Sequence, residues 1–167
     1  MIETKYQTFW KRLCASWVDG IVFIPFIFID TWIYNQEISS TSILIYYIFT
    51  SLSIYIYSII MHGYYGQTVG KMALNIKLYS VSEERLGFKR SVYRDTVPIV
   101  FTLIFITLQA PEILNGINPD TANHTFVSSI LIYVIIGWYI SEFITMLFNN
   151  KRRALHDFIA GSVVVRL

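Results

Sequence analysis

The sequence predicts an all-α membrane protein in which four transmembrane helices form one bundle, with both termini in the cytoplasm and a small cytoplasmic β element. The first reason is composition: 54% of the 167 residues are hydrophobic and 14% are charged, whereas about a quarter of the residues of a soluble domain are charged. The second is the occurrence of four apolar runs, and the third is the placement of basic residues between them. The length allows a single domain, residues 1–167.

The four apolar runs predict spans at about residues 9–33, 43–62, 97–111 and 126–148. A helix needs about 20 apolar residues to cross the hydrocarbon core, and all runs but the third approach this length. The third begins beside Pro98 and stops at Pro111. It either spans with help from flanking residues or enters the membrane only part way.

The basic residues predict the orientation. All thirteen lie before or in the first turn of the first span, between the second and third, or after the fourth, and the connections at 34–42 and 112–125 carry none. Because Lys and Arg are enriched in cytoplasmic loops, four spans place both termini inside, whereas three would leave the C-terminal basic cluster outside. The second outer connection also contains Asn123-His124-Thr125, a short and common glycosylation sequon.

Two predicted cytoplasmic segments have strand-like patterns. Apolar residues alternate within 72–80, and 162–167 is rich in β-branched residues. Because an isolated strand is unstable, we expect these segments to pair and to cap the bundle. Residues 86–94 fit a basic amphipathic helix that lies along the anionic leaflet.

The string GQTVGK at 66–71 has a partial likeness to a phosphate-binding loop. It has three residues between the glycines where four are required, and a methionine follows where Ser or Thr would bind magnesium. The favoured interpretation is a tight turn at the end of the second span.

Polar side chains within three spans predict a pocket in the inner half of the membrane. Arg12, Ser16 and Asp19 share one face of the first span because their spacing follows the helical period. Counted along the helix axes, Asp19, Ser58 and Glu142 lie at overlapping depths. The predicted ion- or substrate-binding residues are Asp19, Glu142, Ser16, Ser58 and Tyr55.

A charge within the membrane costs about 2.5 to 3.5 kcal/mol on insertion scales, so it persists where it is paired, neutral or in a wet cavity. Two neighbouring carboxylates cannot both ionise cheaply. We therefore expect a raised pKa for Asp19 or Glu142, and a site for a proton or monovalent cation. The structural alternative is that such groups only fix helix register, and for the Tyr and Ser stripe of the second span interhelical packing is favoured.

Four motifs, in order along nearly the whole chain, resemble the RDD family of bacterial membrane proteins, named for one arginine and two aspartates. They are FWKRLCASWVDG, GQTVGKMALNIKL, FKRSVYRD and KRRALHDFIAGSVVV. The resemblance implies that Arg12, Asp19 and Asp157 are the namesake residues, whereas Glu142 belongs to no family motif. It also implies a bacterial cytoplasmic membrane, with transport of unknown ligands, exchange of monovalent cations for protons, or partnership with membrane proteases or stress systems.

The position of Asp157 also has a physical interpretation. It follows a basic cluster at the inner membrane face, where Arg12 also emerges. We expect the two to form a partly desolvated, bidentate ion pair that closes the inner end of the pocket. His156 beside Asp157 is a weak hint of a metal pair, but His62 and His124 lack the spacing or the membrane side to complete one.

The sequence therefore favours a multi-pass inner-membrane transporter of a small cation or a proton-coupled solute. A chain this small offers little pore lining, so we expect a homo-oligomer or a partner membrane protein in addition to the lipid bilayer. The alternative is a non-transporting accessory subunit that docks a larger membrane enzyme or envelope-stress complex. An intramembrane aspartyl enzyme is a distant third, and we expect no enzyme activity, cofactor, metal site or nucleic-acid partner.

Overall fold

The computed structural model of the chain describes residues 4–119, 121 and 126–167, so the sequon at 123–125 lies outside the described residues. A short 3-10 turn, Thr4–Tyr6, precedes the first helix. In chain order, the helices and strands are α1 (Phe9–Tyr34), α2 (Ser40–Tyr65), α3 (Val69–Ala73), β1 (Ile76–Ser80), α4 (Gly87–Leu114), α5 (Phe126–Phe148), α6 (Leu155–Ala160) and β2 (Ser162–Arg166).

Four of these helices, α1, α2, α4 and α5, are long and apolar enough to cross a membrane by length and composition. Large apolar side chains point outward from them: Trp17 and Phe28 are 79% and 72% exposed. Such surfaces are stable against lipid, where apolar side chains need no protein partner. The predicted four membrane-type helices are therefore confirmed in the part of the chain that the structure describes.

The third span is longer than predicted, because α4 runs without interruption from Gly87 to Leu114, through both Pro98 and Pro111. The prediction of a separate surface helix at 86–94 is therefore wrong, since those residues lead into and form the first turns of α4. Proline removes a backbone donor, and a membrane helix tolerates this where neighbouring groups satisfy the freed carbonyl.

The predicted pairing of the two strand-like segments, 72–80 and 162–167, is confirmed. β1 and β2 form an antiparallel sheet in which Ile76 faces Arg166 and Ser80 faces Ser162. The first residues of the predicted 72–80 strand belong instead to the end of α3 and the following turn. Ile76 and Leu78 of β1 and Val164 of β2 share a small buried core with Ala15 of α1. We call this end of the bundle, where α2 ends and α4 begins, the sheet end.

The segment at 66–71 is a helix end followed by the short helix α3. Gly66 ends α2 with φ +70°, a left-handed conformation that favours glycine, and its N–H donates to the carbonyl of His62 at 3.0 Å. α3 then crosses α1 at Gly70, where an added Cβ would lie 2.1 Å from the carbonyl oxygen of Ala15. Only a glycine allows the two helices to approach this closely.

Candidate functional site

A cavity of about 380 Å³ lies at the sheet end, among the four long helices. Its wall includes five of the residues predicted from the sequence, which are Arg12, Ser16, Tyr55, Ser58 and Glu142. The other polar residues in the wall were not among the predicted binding residues; they are His62, Lys71, Arg94, Asp95, Tyr139 and His156. Six helices supply these side chains, so the site exists only in the folded bundle.

The predicted ion pair between Arg12 and Asp157 is present and deeply buried. Nη2 of Arg12 donates to Oδ2 of Asp157 at 2.6 Å, and the two side chains are 7% and 0% exposed. The pair is not bidentate as predicted, because Nη1 of Arg12 donates to the backbone carbonyl of Arg152 at 2.9 Å instead. The Asp157 carboxylate also accepts hydrogen bonds from the N–H of Ala154 and the hydroxyl of Ser162, so it joins α1 to α6 and β2.

Two guanidinium groups keep Asp157 ionised. Burial alone would raise the pKa of Asp157, but Arg12 at 2.6 Å and Arg94 at 3.6 Å outweigh it and hold that pKa well below its usual range. Arg12 lines the cavity, whereas Asp157 is not part of the wall. The carboxylate therefore holds in place the guanidinium of a residue that lines the site.

His156 connects these arginines to Glu142. Its Nε2 lies 2.6 Å from Nη2 of Arg94 and 3.2 Å from Nη2 of Arg12. A guanidinium can only donate, so Nε2 must be the acceptor, and the ring proton is on Nδ1, where it is donated to Oε2 of Glu142. Burial and the charge of Arg94 lower the pKa of His156 below its ordinary value, consistent with a neutral ring.

Arg94 and its neighbour Asp95 each carry an unpaired polar atom. Arg94 is 6% exposed, and its Nη1 has no hydrogen-bond partner. Oδ2 of Asp95, the next residue of α4, is likewise buried and without a partner. Sequence reasoning missed both because it assigned the segment to a surface helix; the available signal was the FKRSVYRD motif that contains them.

A second network reaches the cavity from α3. Nζ of Lys71 lies 3.0 Å from Nε2 of His62, whose Nδ1 lies 3.1 Å from Oγ of Ser58. Burial, assisted by the positive charge of Arg94, lowers the pKa of Lys71 to about 7. The amine therefore exchanges its proton near neutral pH, which an ordinary surface lysine does not do.

Asp19 does not occupy the place that the sequence predicted for it. Its carboxylate accepts hydrogen bonds from Thr68 Oγ1 at 2.6 Å, from the N–H of Gly70 at 2.7 Å and from the hydroxyl of Tyr57 at 2.9 Å. It is not part of the cavity wall. The first N–H groups of a helix need external acceptors, and Asp19 supplies one to α3.

The expected contact between Asp19 and Glu142 is therefore absent: Asp19 binds α3, and Glu142 binds His156. Helical spacing had placed both acids at similar depth, but it could not show that α3 would meet Asp19. The geometry makes Asp19 an anchor of α3 and leaves Glu142 as the predicted acid that faces the cavity.

Comparison with known proteins finds a match to the model of the RDD family over residues 6–161, nearly the whole chain. That range contains Arg12, Asp19 and Asp157. Neither a curated protein nor a solved structure matches the chain.

Proposed function

The chain belongs to the RDD family, and on that premise we propose that it transports a small cation or a proton-coupled solute across the bacterial cytoplasmic membrane through the cavity at the sheet end. One observation carries the proposal: each of the six helices contributes at least one ionisable side chain to the wall. These are Arg12, His62, Lys71, Arg94, Asp95, Glu142 and His156. Ionisable groups at membrane depth are costly and mark ion or substrate pathways.

Two features of the wall suit coupling to protons. Lys71 has a pKa of about 7, so it can gain or lose a proton between the two sides of an ordinary pH gradient. Glu142 supplies the intramembrane carboxylate, and through His156 it is linked to both arginines. A change of charge at Glu142 would therefore alter the electrostatic interactions of Arg12 and, through Arg12, those of Asp157.

The orientation and assembly are part of the proposal. The basic residues lie at the ends of the long helices that lead to the sheet, and the positive-inside tendency places that end in the cytoplasm. We also propose a homo-oligomer, because one copy with four long helices offers few residues to line a continuous path, and other copies would supply further walls.

Reconstitution into liposomes tests the proposal. We expect wild-type protein to move protons, read by an internal pH-sensitive dye, when Na⁺ or K⁺ gradients or an imposed pH gradient are applied. Glu142→Gln should abolish the flux. Glu37→Gln is the matched control because Glu37 is exposed in the connection between α1 and α2, and it should leave the flux unchanged.

Absence of flux under every gradient, with folded wild-type protein in the vesicles, would overturn the transport proposal. If that protein also copurifies with one stoichiometric membrane enzyme, whose activity survives Glu142→Gln, the accessory-subunit alternative is supported instead.

A further inference from the structure

We propose that the ligand of the cavity is a small zwitterion, whose carboxylate binds Nη1 of Arg94 and whose ammonium group binds Oδ2 of Asp95. The inference rests on the proposed function, since it names the class of solute for the same cavity. It depends on two neighbouring residues of α4 that line the cavity and that each carry one buried polar atom without a hydrogen-bond partner, a donor on Arg94 and an acceptor on Asp95.

The donor is part of a permanently charged group. Arg94 is 6% exposed, and its Nη2 is used by His156 at 2.6 Å, but Nη1 has no partner. A buried hydrogen-bonding group without a partner is rare and costly in a folded protein. A ligand carboxylate is the acceptor that a guanidinium binds most strongly.

The acceptor lies on the next residue but cannot satisfy that donor. Successive residues of a helix point in different directions and do not face each other, and Asp95 and Arg94 make no hydrogen bond at these two atoms. Both line the same cavity. A molecule that carries both a donor and an acceptor can bridge them, whereas a simple anion or cation would leave one of the two unpaired.

The charge and size of the wall agree with this ligand class. Groups of both signs line the cavity: Arg12 and Arg94 supply guanidiniums, and Asp95 and Glu142 supply acidic side chains. His156 is neutral, as its hydrogen bonds require. A volume of about 380 Å³ falls in the lower part of the range of about 300 to 1,000 Å³ found for small-molecule pockets.

Calorimetric titration of the purified full chain in detergent tests the inference. The probes are glycine, β-alanine and γ-aminobutyrate, whose opposite charges are increasingly far apart, with propionate and propylammonium as singly charged probes. We expect one zwitterion to bind at least about tenfold more tightly than either singly charged probe, the ratio expected when one charged hydrogen bond is lost.

Asp95→Asn should remove that preference, so that the best zwitterion binds no more tightly than propionate. The replacement keeps the size of the side chain and breaks no hydrogen bond at Oδ2, so folding should be retained. Arg90→Gln is the matched control: Arg90 lies one turn earlier on α4, outside the wall, and its loss should leave every affinity unchanged.

Equal binding of zwitterions and singly charged probes would overturn the inference. So would the absence of binding to a protein that unfolds cooperatively, because water alone would then fill the cavity. Ion-driven proton flux without zwitterion binding would reject this ligand and leave the transport proposal standing. Zwitterion binding without any flux would support this ligand and reject the transport proposal.

Discussion

Nη2 of Arg12 lies 2.6 Å from Oδ2 of Asp157, a contact that joins positions 145 residues apart. It holds the first turn of α1 against α6, and Asp157 also accepts a hydrogen bond from the hydroxyl of Ser162 in β2. The closing segment of the chain is thereby fixed against the beginning of the bundle. Because the same arginine lines the cavity, the shape of the site depends on this pair.

Replacing Asp157 should destabilise the protein strongly. Asp157→Asn leaves the buried guanidiniums of Arg12 and Arg94 without their counter-charge, and breaking such a buried pair costs about 3 to 5 kcal/mol. Denaturant unfolding in mild detergent measures the loss. Glu83→Gln is the control because it breaks the exposed pair with Lys5, from which little stability is expected; equal losses in the two variants would contradict the assignment.

The approach of α3 to α1 should depend on Gly70. An added Cβ would lie 2.1 Å from the carbonyl oxygen of Ala15 and 3.0 Å from Cγ of Asp19, so Gly70→Ala should separate α3 from α1. Overpacking of this kind costs about 1 to 3 kcal/mol. Thermal unfolding in detergent should show a lower midpoint for this variant.

Gly20→Ala provides the control for that measurement. An added Cβ at Gly20 has no neighbour within 4 Å, although the residue lies in the same helix as Ala15. Alanine favours a helix over glycine by about 0.5 to 1 kcal/mol, so this variant should keep or raise the midpoint. A fall as large as that of Gly70→Ala would show that helix propensity, and not the crossing, sets the effect.

The sequence carried enough information for the helices and for one long-range contact. Length and hydropathy identify the membrane helices because the hydrocarbon core favours apolar side chains and helical backbone along the whole span. The pairing of Arg12 with Asp157 followed from their common membrane face and opposite charge. The sequence could not predict that the pair would be monodentate. The second nitrogen of Arg12 binds the backbone carbonyl of Arg152, and any residue type can supply such an acceptor.

The neighbours of an intramembrane acid were much harder to predict. Spacing gives the face and the depth of a residue on its own helix, but not which element will lie against that face. α3 has only five residues, so its pattern is too short to be recognised, and it is the element that meets Asp19. Arg94 was missed for a related reason: its charge indicated a surface, whereas α4 continues and buries it beside His156.

Stability should rise with pH across the alkaline range because of Lys71. Its pKa falls from 10.5 to about 7 on folding, so between these values the unfolded chain holds a proton that the folded protein does not. This difference lowers the free energy of unfolding. The loss is fully present below about pH 7 and disappears as the pH rises through this window. The thermal midpoint of the wild type should therefore increase from pH 7 to pH 10.

Lys71→Met tests the cause of that increase. Methionine has a similar length and no charge, so the variant should be more stable at pH 7 by roughly 3 to 5 kcal/mol, with a flatter dependence on pH. Lys89→Met, at an exposed position near the start of α4, should leave the slope as in the wild type. A Lys71→Met slope equal to that of the wild type would assign the effect to other groups.

The hydrogen bonds of His156 predict one neutral tautomer. Nε2 accepts from the guanidiniums of Arg94 and Arg12, so at pH 7 the proton should be on Nδ1 and shared with Glu142. Side-chain ¹⁵N NMR of the histidines separates this form from the imidazolium and from the other tautomer. Assignment by His156→Gln identifies the resonance, and an imidazolium signal at pH 7 would contradict the proposed network, because a charged ring cannot accept from either arginine.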